Sequence, residues 1–304
     1  MIISIGNISL GGTGKTPFVI LIGRYFLDRG KRLCVLSRGY KGKLKYDTNI
    51  ISDGNKFYFT PPMAADEPYL IGKNLKNAVV ITGKDRRKGY LLAKEKFGCD
   101  TFILDDGYQH RKMQRDVDIL LLDFRRPVST GFIFPFGYLR EFPSAIKRAD
   151  IIVFTKSNGK NIIPEKARRY VEGKPVFFSD YRFVSIACEG KEIPINYMNG
   201  EKVLAFSGIA KNKHFFRMLK SIGADVVKTF SFKDHHIYKE KELLGILESA
   251  KEKGVKYIIT TEKDYVKIPD NLKEKFYYAK IEIILNDKQG FFNAIEETYK
   301  KKRS

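Results

Sequence analysis

An α/β fold with a mainly parallel sheet, followed by a second and smaller α/β domain, is what this sequence predicts, on three observations. Short β-branched runs alternate with amphipathic stretches of helical period, the rhythm of strand–helix–strand units. A glycine-rich turn joins the first apolar run to the first helical stretch. A break across Phe177–Pro194, marked by Gly190 and Pro194, precedes a second strand–helix series and reads as a linker between lobes. The expected boundary separates residues 1–182 from 183–304.

In the first domain, apolar runs predict strands at Ile2–Ile5, Leu33–Ser37, Val79–Thr82, Thr101–Asp105, Ile119–Asp123 and Ile151–Thr155. Near-continuous apolar character is what a parallel strand covered on both faces requires. Between them, helical periodicity predicts helices at about Thr16–Arg29, Glu67–Lys76, Asp85–Lys96 and Glu165–Tyr170. In the second domain, strands are expected at Val203–Phe206, Asp225–Phe230, Tyr257–Thr261 and Tyr277–Ile284, with helices near Lys213–Ile222 and Glu240–Lys253. The basic end Lys300-Lys301-Lys302-Arg303 reads as a frayed terminus.

The chain has 304 residues, enough for two domains with a sizeable core, and 43% of them are hydrophobic. No apolar stretch is long enough to span a bilayer. With 56 Lys+Arg against 35 Asp+Glu, the formal charge of +21 draws polyanions: nucleic acid, anionic lipid or a phosphorylated substrate. No nucleic-acid-binding signature accompanies that charge, so no nucleic acid is expected. Cys34, Cys99 and Cys188 are far apart and form no metal or disulfide pattern, which suits a reducing compartment. The opening Met1-Ile2-Ile3-Ser4-Ile5 lacks the features of a signal peptide.

Gly11-Gly12-Thr13-Gly14-Lys15-Thr16 lies between an apolar strand and a helix, the context of a phosphate-binding P-loop. Glycines let backbone N–H groups curl around phosphate oxygens, and the helix N-terminus adds its positive end. Lys15 would reach the β- and γ-phosphates of ATP, and the Thr16 hydroxyl would ligate Mg²⁺. The standard spacing places a glycine where this chain has Ser9, so only the Gly14-Lys15-Thr16 end is strict. The first domain is therefore expected to be P-loop NTPase-like. Thr101–Asp105 with Asp106 forms an apolar strand ending in two carboxylates, which suits a cation shared with phosphate oxygens. Such an ending also occurs in ordinary solvated turns. Gly107-Tyr108-Gln109-His110-Arg111 then adds donors and a titratable ring at the carboxyl end of that strand, where open α/β sheets bind ligands.

The stretch Asp105-Asp106-Gly107-Tyr108-Gln109-His110-Arg111 resembles the tetraacyldisaccharide 4′-kinase family, the lipid A 4′-kinases of Gram-negative bacteria. Ser4-Ile5-Gly6-Asn7, Leu36-Ser37-Arg38-Gly39-Tyr40, Asp66-Glu67-Pro68, Phe206-Ser207-Gly208-Ile209, Asp234-His235 and Thr260-Thr261-Glu262-Lys263-Asp264 extend the resemblance in order over residues 4–264. It implies two α/β lobes with the active site in the cleft between them, and Mg²⁺ and ATP on the first. The implied acceptor is a lipid A precursor, tetraacyldisaccharide 1-phosphate, whose 4′-hydroxyl receives the phosphoryl group to give lipid IVA. Asp66 aligns with the carboxylate that takes the hydroxyl proton, and His235 with the histidine that assists it. Lys15 and Arg86 complete the implied catalytic set, and Arg140 and Glu141 match positions near the phosphates and metal. The implied metal ligands are Thr16, Asp105, Asp106 and Glu141. Taken alone, Asp66 also suits a helix N-cap and His235 a turn.

Family members usually carry a segment with a hydrophobic helix before the P-loop strand, whereas this sequence opens on that strand. Phe142 also stands where the family commonly has proline. The reading implies a cytoplasmic protein peripheral on the inner face of the cytoplasmic membrane, with no obligate protein partner. The apolar run Gly131-Phe132-Ile133-Phe134-Pro135-Phe136-Gly137 suits either a lipid-facing loop or a core segment. Asp150–Asn158 resembles the strand and base-reading motif of a guanine-nucleotide switch, but Asn158 offers one acceptor oxygen where a carboxylate offers two. That switch and a nucleic-acid-dependent ATPase are the rival classes.

Overall fold

Residues 2–6 begin a parallel sheet whose strands are short, apolar and buried, as their composition requires. The computed structural model describes every residue except Lys45, in two units: Met1–Tyr181 with Ile283–Ser304, and Arg182–Glu282. The first unit opens with β1 (Ile2–Gly6), α1 (Lys15–Leu27), β2 (Leu33–Ser37), β3 (Thr48–Asp53), α2 (Asp66–Asn74) and β4 (Val79–Gly83). It continues with α3 (Arg86–Phe97), β5 (Thr101–Asp105), β6 (Val117–Asp123), β7 (Ile151–Thr155) and α4 (Glu165–Val171). The strand order β7-β6-β1-β5-β2-β4-β3 is parallel except for β3, which pairs antiparallel with β4 at the edge. The chain works outward from β1 in one direction, returns through β5 and then builds on the other side through β6. The order thus reverses at β1 and β5, where Ile5 lies opposite Asp105. Such a switch point opens a crevice at the carboxyl ends of the strands.

Helix boundaries follow local chemistry. The Asp85 side chain caps α3 by accepting from the Arg87 N–H, and Gly98, at φ 60°, ends it. Along α1, Phe18, Val19, Ile22 and Phe26 share the buried stripe of a helix lying on a sheet. Gly23 completes that stripe: a Cβ there would come within 2.5 Å of Leu75 Cδ1, so a larger residue would force the Leu75 side chain to move.

The expected linker is a strand. β8 (Val176–Cys188) pairs in parallel with β7 through Val176–Ser179 and antiparallel with β9 (Lys191–Pro194) through Ser185–Cys188. Gly190 marks a tight hairpin between β8 and β9: Glu189 and Gly190 have φ of 46° and 83°, the pair of positive angles a two-residue primed turn demands. Pro194 is tolerated because β9 is a short edge strand.

The second unit continues with β10 (Lys202–Ser207), α5 (Asn212–Ser221), β11 (Asp225–Ser231), α6 (Glu240–Glu252), β12 (Tyr257–Thr261), α7 (Glu262–Tyr265), α8 (Asp270–Lys273) and β13 (Tyr277–Leu285). The order is β11-β10-β12-β13, with β10 parallel to both neighbours and β12 parallel to β13. Alternate residues of β10 serve two cores: Val203 and Ala205 pack with Phe215 and Leu219 of α5, while Leu204 and Phe206 pack with Leu243 and Ile246 of α6.

Through β13 the chain re-enters the first unit and ends in α9 (Lys288–Lys301). Phe291 meets Phe18 and Phe177 edge-on, and Phe292 stacks on Tyr25 at a ring separation of 3.7 Å. Residues 283–304 therefore group with the first unit, not with the smaller domain in which a linear cut at 182/183 places them. The basic end is not frayed: α9 runs to Lys301, and Lys302 Nζ lies 2.6 Å from Asp150 Oδ2.

Candidate active site

The glycine turn follows β1 at the switch point. Gly11 and Gly14 take φ of 112° and 85°, left-handed angles that non-glycine residues avoid. A Cβ on Gly11 or Gly12 would meet nothing, so the turn presents bare backbone, whereas a Cβ on Gly14 would stand 1.6 Å from the Tyr181 hydroxyl. Buried Asn7 holds the turn from beneath, its Nδ2 donating to the Ser9 carbonyl at 2.9 Å and its Oδ1 accepting from Lys15 Nζ at 3.4 Å. Lys156, at the end of β7, donates from Nζ to the Gly12 carbonyl at 2.7 Å and pairs with Asp123 at 3.4 Å.

Lys15 Nζ also lies 3.4 Å from Asp106 Oδ1, and Arg140 donates to both oxygens of Asp106 at 2.9 and 2.8 Å. Burial disfavours the Asp106 carboxylate, but Lys15 and Arg140 more than offset it and hold its pKa below the usual range. Asp105 is treated differently. It is 2% exposed; its Oδ2 accepts from Ser37 Oγ at 2.9 Å, while Oδ1 accepts no hydrogen bond from any described residue. Burial, with the charges of Glu67 and Asp106, raises its pKa to about 7.

Arg86, buried at the start of α3, has Nε without a described partner, and burial lowers its pKa against the opposing pull of Asp105 and Asp106. The buried Thr13 hydroxyl is likewise without a described partner. His110 Nε2 is buried without a partner among the described residues, and burial together with Arg86 pushes its pKa down, which favours the neutral ring. Orphaned buried polar groups cost stability; Thr13 lies in the glycine turn and Arg86 is close enough to Asp105 and Asp106 to feel their charge, so these groups suit a polar ligand.

Glu141 is engaged otherwise: Arg148 lies 2.8 Å from its Oε2, and Gln109 Nε2 donates to Oε1 at 3.0 Å. No group of three His, Cys, Asp or Glu side chains suited to a metal ion is assembled among the described residues. Mg²⁺ needs none, since it takes one or two carboxylates and completes its shell with phosphate oxygens and water. The Oδ1 of Asp105, without a hydrogen bond from any described residue, and the Thr16 hydroxyl at the start of α1 are oxygen donors of the kind that demand calls for.

Asp66 opens α2, where the N-cap is Ala65 and no side chain caps the helix. Glu67, in the first turn of α2, is close enough to Asp105 for its charge to help raise the Asp105 pKa. His235 belongs to the second unit, in a turn after β11 at φ 61°, with Nε2 3.2 Å from Lys263 Nζ. Its neighbouring motif is a structural clamp: Asp264, fully buried, accepts from the Gly208 N–H at 2.9 Å, from Thr261 Oγ1 at 2.6 Å and from Lys267 Nζ at 2.7 Å.

Sequence reasoning assigned no role to Asn7, Ser37 or Tyr181, and weighed Lys156 only as part of a guanine-specific motif. The signal available for Lys156 was its place at the end of a central strand, level with the glycine turn.

A family model described as tetraacyldisaccharide-1-P 4′-kinase matches residues 1–300. The chain is 38% identical to the tetraacyldisaccharide 4′-kinase of Syntrophus aciditrophicus, over 98% of this chain and 84% of the relative. To the one from Geobacter metallireducens it is 37% identical, over 97% and 87%. The structure resembles crystalline LpxK from Aquifex aeolicus in complex with ATP, with a TM-score of 0.80 and 34% identity, covering 98% of this chain and 88% of that one. No described helix is long and apolar enough to cross a membrane. Matched from β1 into α9 by sequence and by fold, this chain belongs to the tetraacyldisaccharide-1-P 4′-kinase family.

Proposed function

We propose that this chain transfers the γ-phosphoryl group of ATP to the 4′-hydroxyl of tetraacyldisaccharide 1-phosphate, giving lipid IVA, at the inner face of the cytoplasmic membrane. The observation that carries the reading is the approach of Lys15 to Asp106, 3.4 Å across the crevice between β1 and β5.

The backbone of Gly11, Gly12, Thr13 and Gly14 offers N–H donors to the phosphates, and Lys15 adds a positive charge there. Asp105 and Thr16 would hold Mg²⁺, which supplies charge neutralisation on the phosphate oxygens when bound. Asp106 is a further carboxylate next to Asp105, and its hold on Lys15 and Arg140 keeps both cations at the turn. Arg86, buried with an Nε that has no partner among the described residues, is suited to spreading charge on the group in transfer. Glu141 fixes Gln109 and Arg148, a supporting task that leaves it less available as a direct ligand.

Asp66 takes the proton of the 4′-hydroxyl as its oxygen bonds to phosphorus and the bond to the β-phosphate oxygen breaks, leaving ADP. His235 assists that proton removal. These two roles rest on the alignment of Asp66-Glu67-Pro68 and Asp234-His235 with the family. Peripheral attachment is supported by the charge of +21, because Lys and Arg near an anionic bilayer gain roughly 1 kcal/mol each.

The test is incubation with Mg-ATP and tetraacyldisaccharide 1-phosphate, followed by mass analysis of the lipid. A product heavier by one phosphoryl group supports the reading. ATP hydrolysis with the lipid unchanged refutes it.

A further inference from the structure

The segment after β6 that carries Arg140 to the site also carries the most exposed aromatic cluster of the first unit. Phe132, Phe134, Phe136, Tyr138 and Phe142 are 63%, 66%, 89%, 62% and 60% exposed, and Leu10 beside them is 42% exposed. Their backbone is pinned. The Leu10 N–H donates to the Tyr138 carbonyl at 2.7 Å, Arg140 N–H to the Ile8 carbonyl at 2.7 Å, and Phe134 N–H to the Leu139 carbonyl at 2.9 Å. Leu139 is fully buried and anchors the segment. A Cβ on Gly137 would come within 2.3 Å of the Phe132 carbonyl, so the loop closes too tightly there for any other residue. The chain therefore holds these rings in water, although clustered exposed apolar groups mark interaction surfaces.

Charge selects the partner. Arg125 and Arg126, in the same connection, and Arg111 and Lys112, in the turn after β5, are exposed. The nearby carboxylates Asp123 and Glu141 are taken up by Lys156 and Arg148. Exposed aromatic rings in a connection that also carries the exposed Arg125 and Arg126 suit the boundary between anionic headgroups and acyl chains.

We infer that the segment Gly131–Phe142, with Leu10, inserts into an anionic bilayer and seats the glycine turn at headgroup level. Arg140 ties the depth of insertion to the site, since the same segment that meets lipid grips Asp106. The acceptor can then be phosphorylated without leaving the membrane. That consequence rests on the proposed lipid kinase activity; the insertion itself does not.

The chain contains no tryptophan, so Phe136→Trp gives a single reporter. With vesicles containing phosphatidylglycerol, its emission shifts to the blue and is quenched by brominated acyl chains, and phosphatidylcholine vesicles give much less of either. A triple variant, Phe132→Ser with Phe134→Ser and Phe136→Ser, sediments with the anionic vesicles at least ten-fold less while still binding Mg-ATP, which shows that it folds. Sedimentation of the reporter protein with unshifted, unquenched emission overturns the inference, as does failure to bind vesicles. A concentration-dependent blue shift without lipid overturns it too, by assigning the surface to a second copy of the chain. Phosphorylation of a detergent-dispersed acceptor is scored separately: its absence beside normal insertion counts against the kinase reading alone.

Discussion

The Lys156 ammonium lies 2.7 Å from the carbonyl oxygen of Gly12, and this bond joins the end of β7 to the glycine turn that follows β1. The turn needs such a tether, because a Cβ on Gly11 or Gly12 would touch nothing and neither residue has a side chain to order it. A hydrogen bond from a charged group contributes about 1.5–3 kcal/mol when its partner would otherwise go unmet. Lys156→Ala is expected to raise the KM for ATP about ten-fold, the equivalent of roughly 1.4 kcal/mol, with a smaller change in kcat. Steady-state kinetics with varied ATP check it, and an unchanged KM would show that the turn orders itself.

Asp66 is the first residue of α2, directly after the N-cap Ala65. In its proposed role as the base, Asp66 can be removed with the nucleotide's contacts left in place. Asp66→Ala is expected to bind ATP normally and to lose roughly 10²–10⁴-fold in turnover. Titration of a fluorescent ATP analogue beside the lipid assay separates the two effects; near-normal turnover would exclude Asp66 as the base.

Asp105 gives the pH dependence. Its folded pKa, raised to about 7 by burial with Glu67 and Asp106 beside it, stands above the unfolded value of about 4. Neutral Asp105 therefore contributes stability in full below pH about 4, and that contribution is lost progressively as pH rises to about 7. Asp105→Asn keeps a neutral group at every pH. In the absence of nucleotide and metal, its melting temperature is expected to gain on the parent's by roughly 2–4 °C per kcal/mol of relief as pH rises from 4 to 7, and to gain nothing further above that. A constant difference across the range would contradict the buried, neutral carboxyl.

Asp264 tests whether a shared motif is structural. It is fully buried and receives Gly208, Thr261 and Lys267 together. Removing one member of a buried ion pair costs about 3–5 kcal/mol, so Asp264→Ala is expected to destabilise the second unit by that order in urea unfolding. Loss of activity with unchanged stability would move Asp264 from clamp to chemistry.

The β1–Lys15 turn and the Asp105-Asp106 strand end were legible because each is a local sequence whose chemistry is complete within a few residues. The positions of β2, β4, β5, β6 and β7 were legible because buried parallel strands are written as apolar runs. β3, half-buried at an antiparallel edge, carries Thr48, Asn49, Ser52 and Asp53 and has no such run. β8 was hidden by Ser179, Asp180 and Arg182 within it and by a hairpin turn whose Gly190 looks like a linker glycine. The Asp287 cap and the Phe291, Phe292 and Ile295 stripe of α9 were present in the sequence, but the basic end masked them. Gly208, which Asp264 holds, and Gly12, which Lys156 holds, lie 56 and 144 residues away along the chain, so only the folded topology could bring these pairs together. The aromatic loop could have been core or surface from composition alone; its exposure is decided by the backbone bonds to Ile8 and Leu10.

The most direct test of the account follows the γ-phosphorus itself. ATP labelled at that position is mixed with Mg²⁺ and tetraacyldisaccharide 1-phosphate, and label is counted in the extracted lipid for the parent chain and for Lys15→Ala. Label is expected in the lipid with the parent, located at the 4′-oxygen, with a loss of roughly 10²-fold or more for Lys15→Ala as charge stabilisation at the phosphates disappears. Label found only in free phosphate, or equal labelling by both proteins, would contradict it.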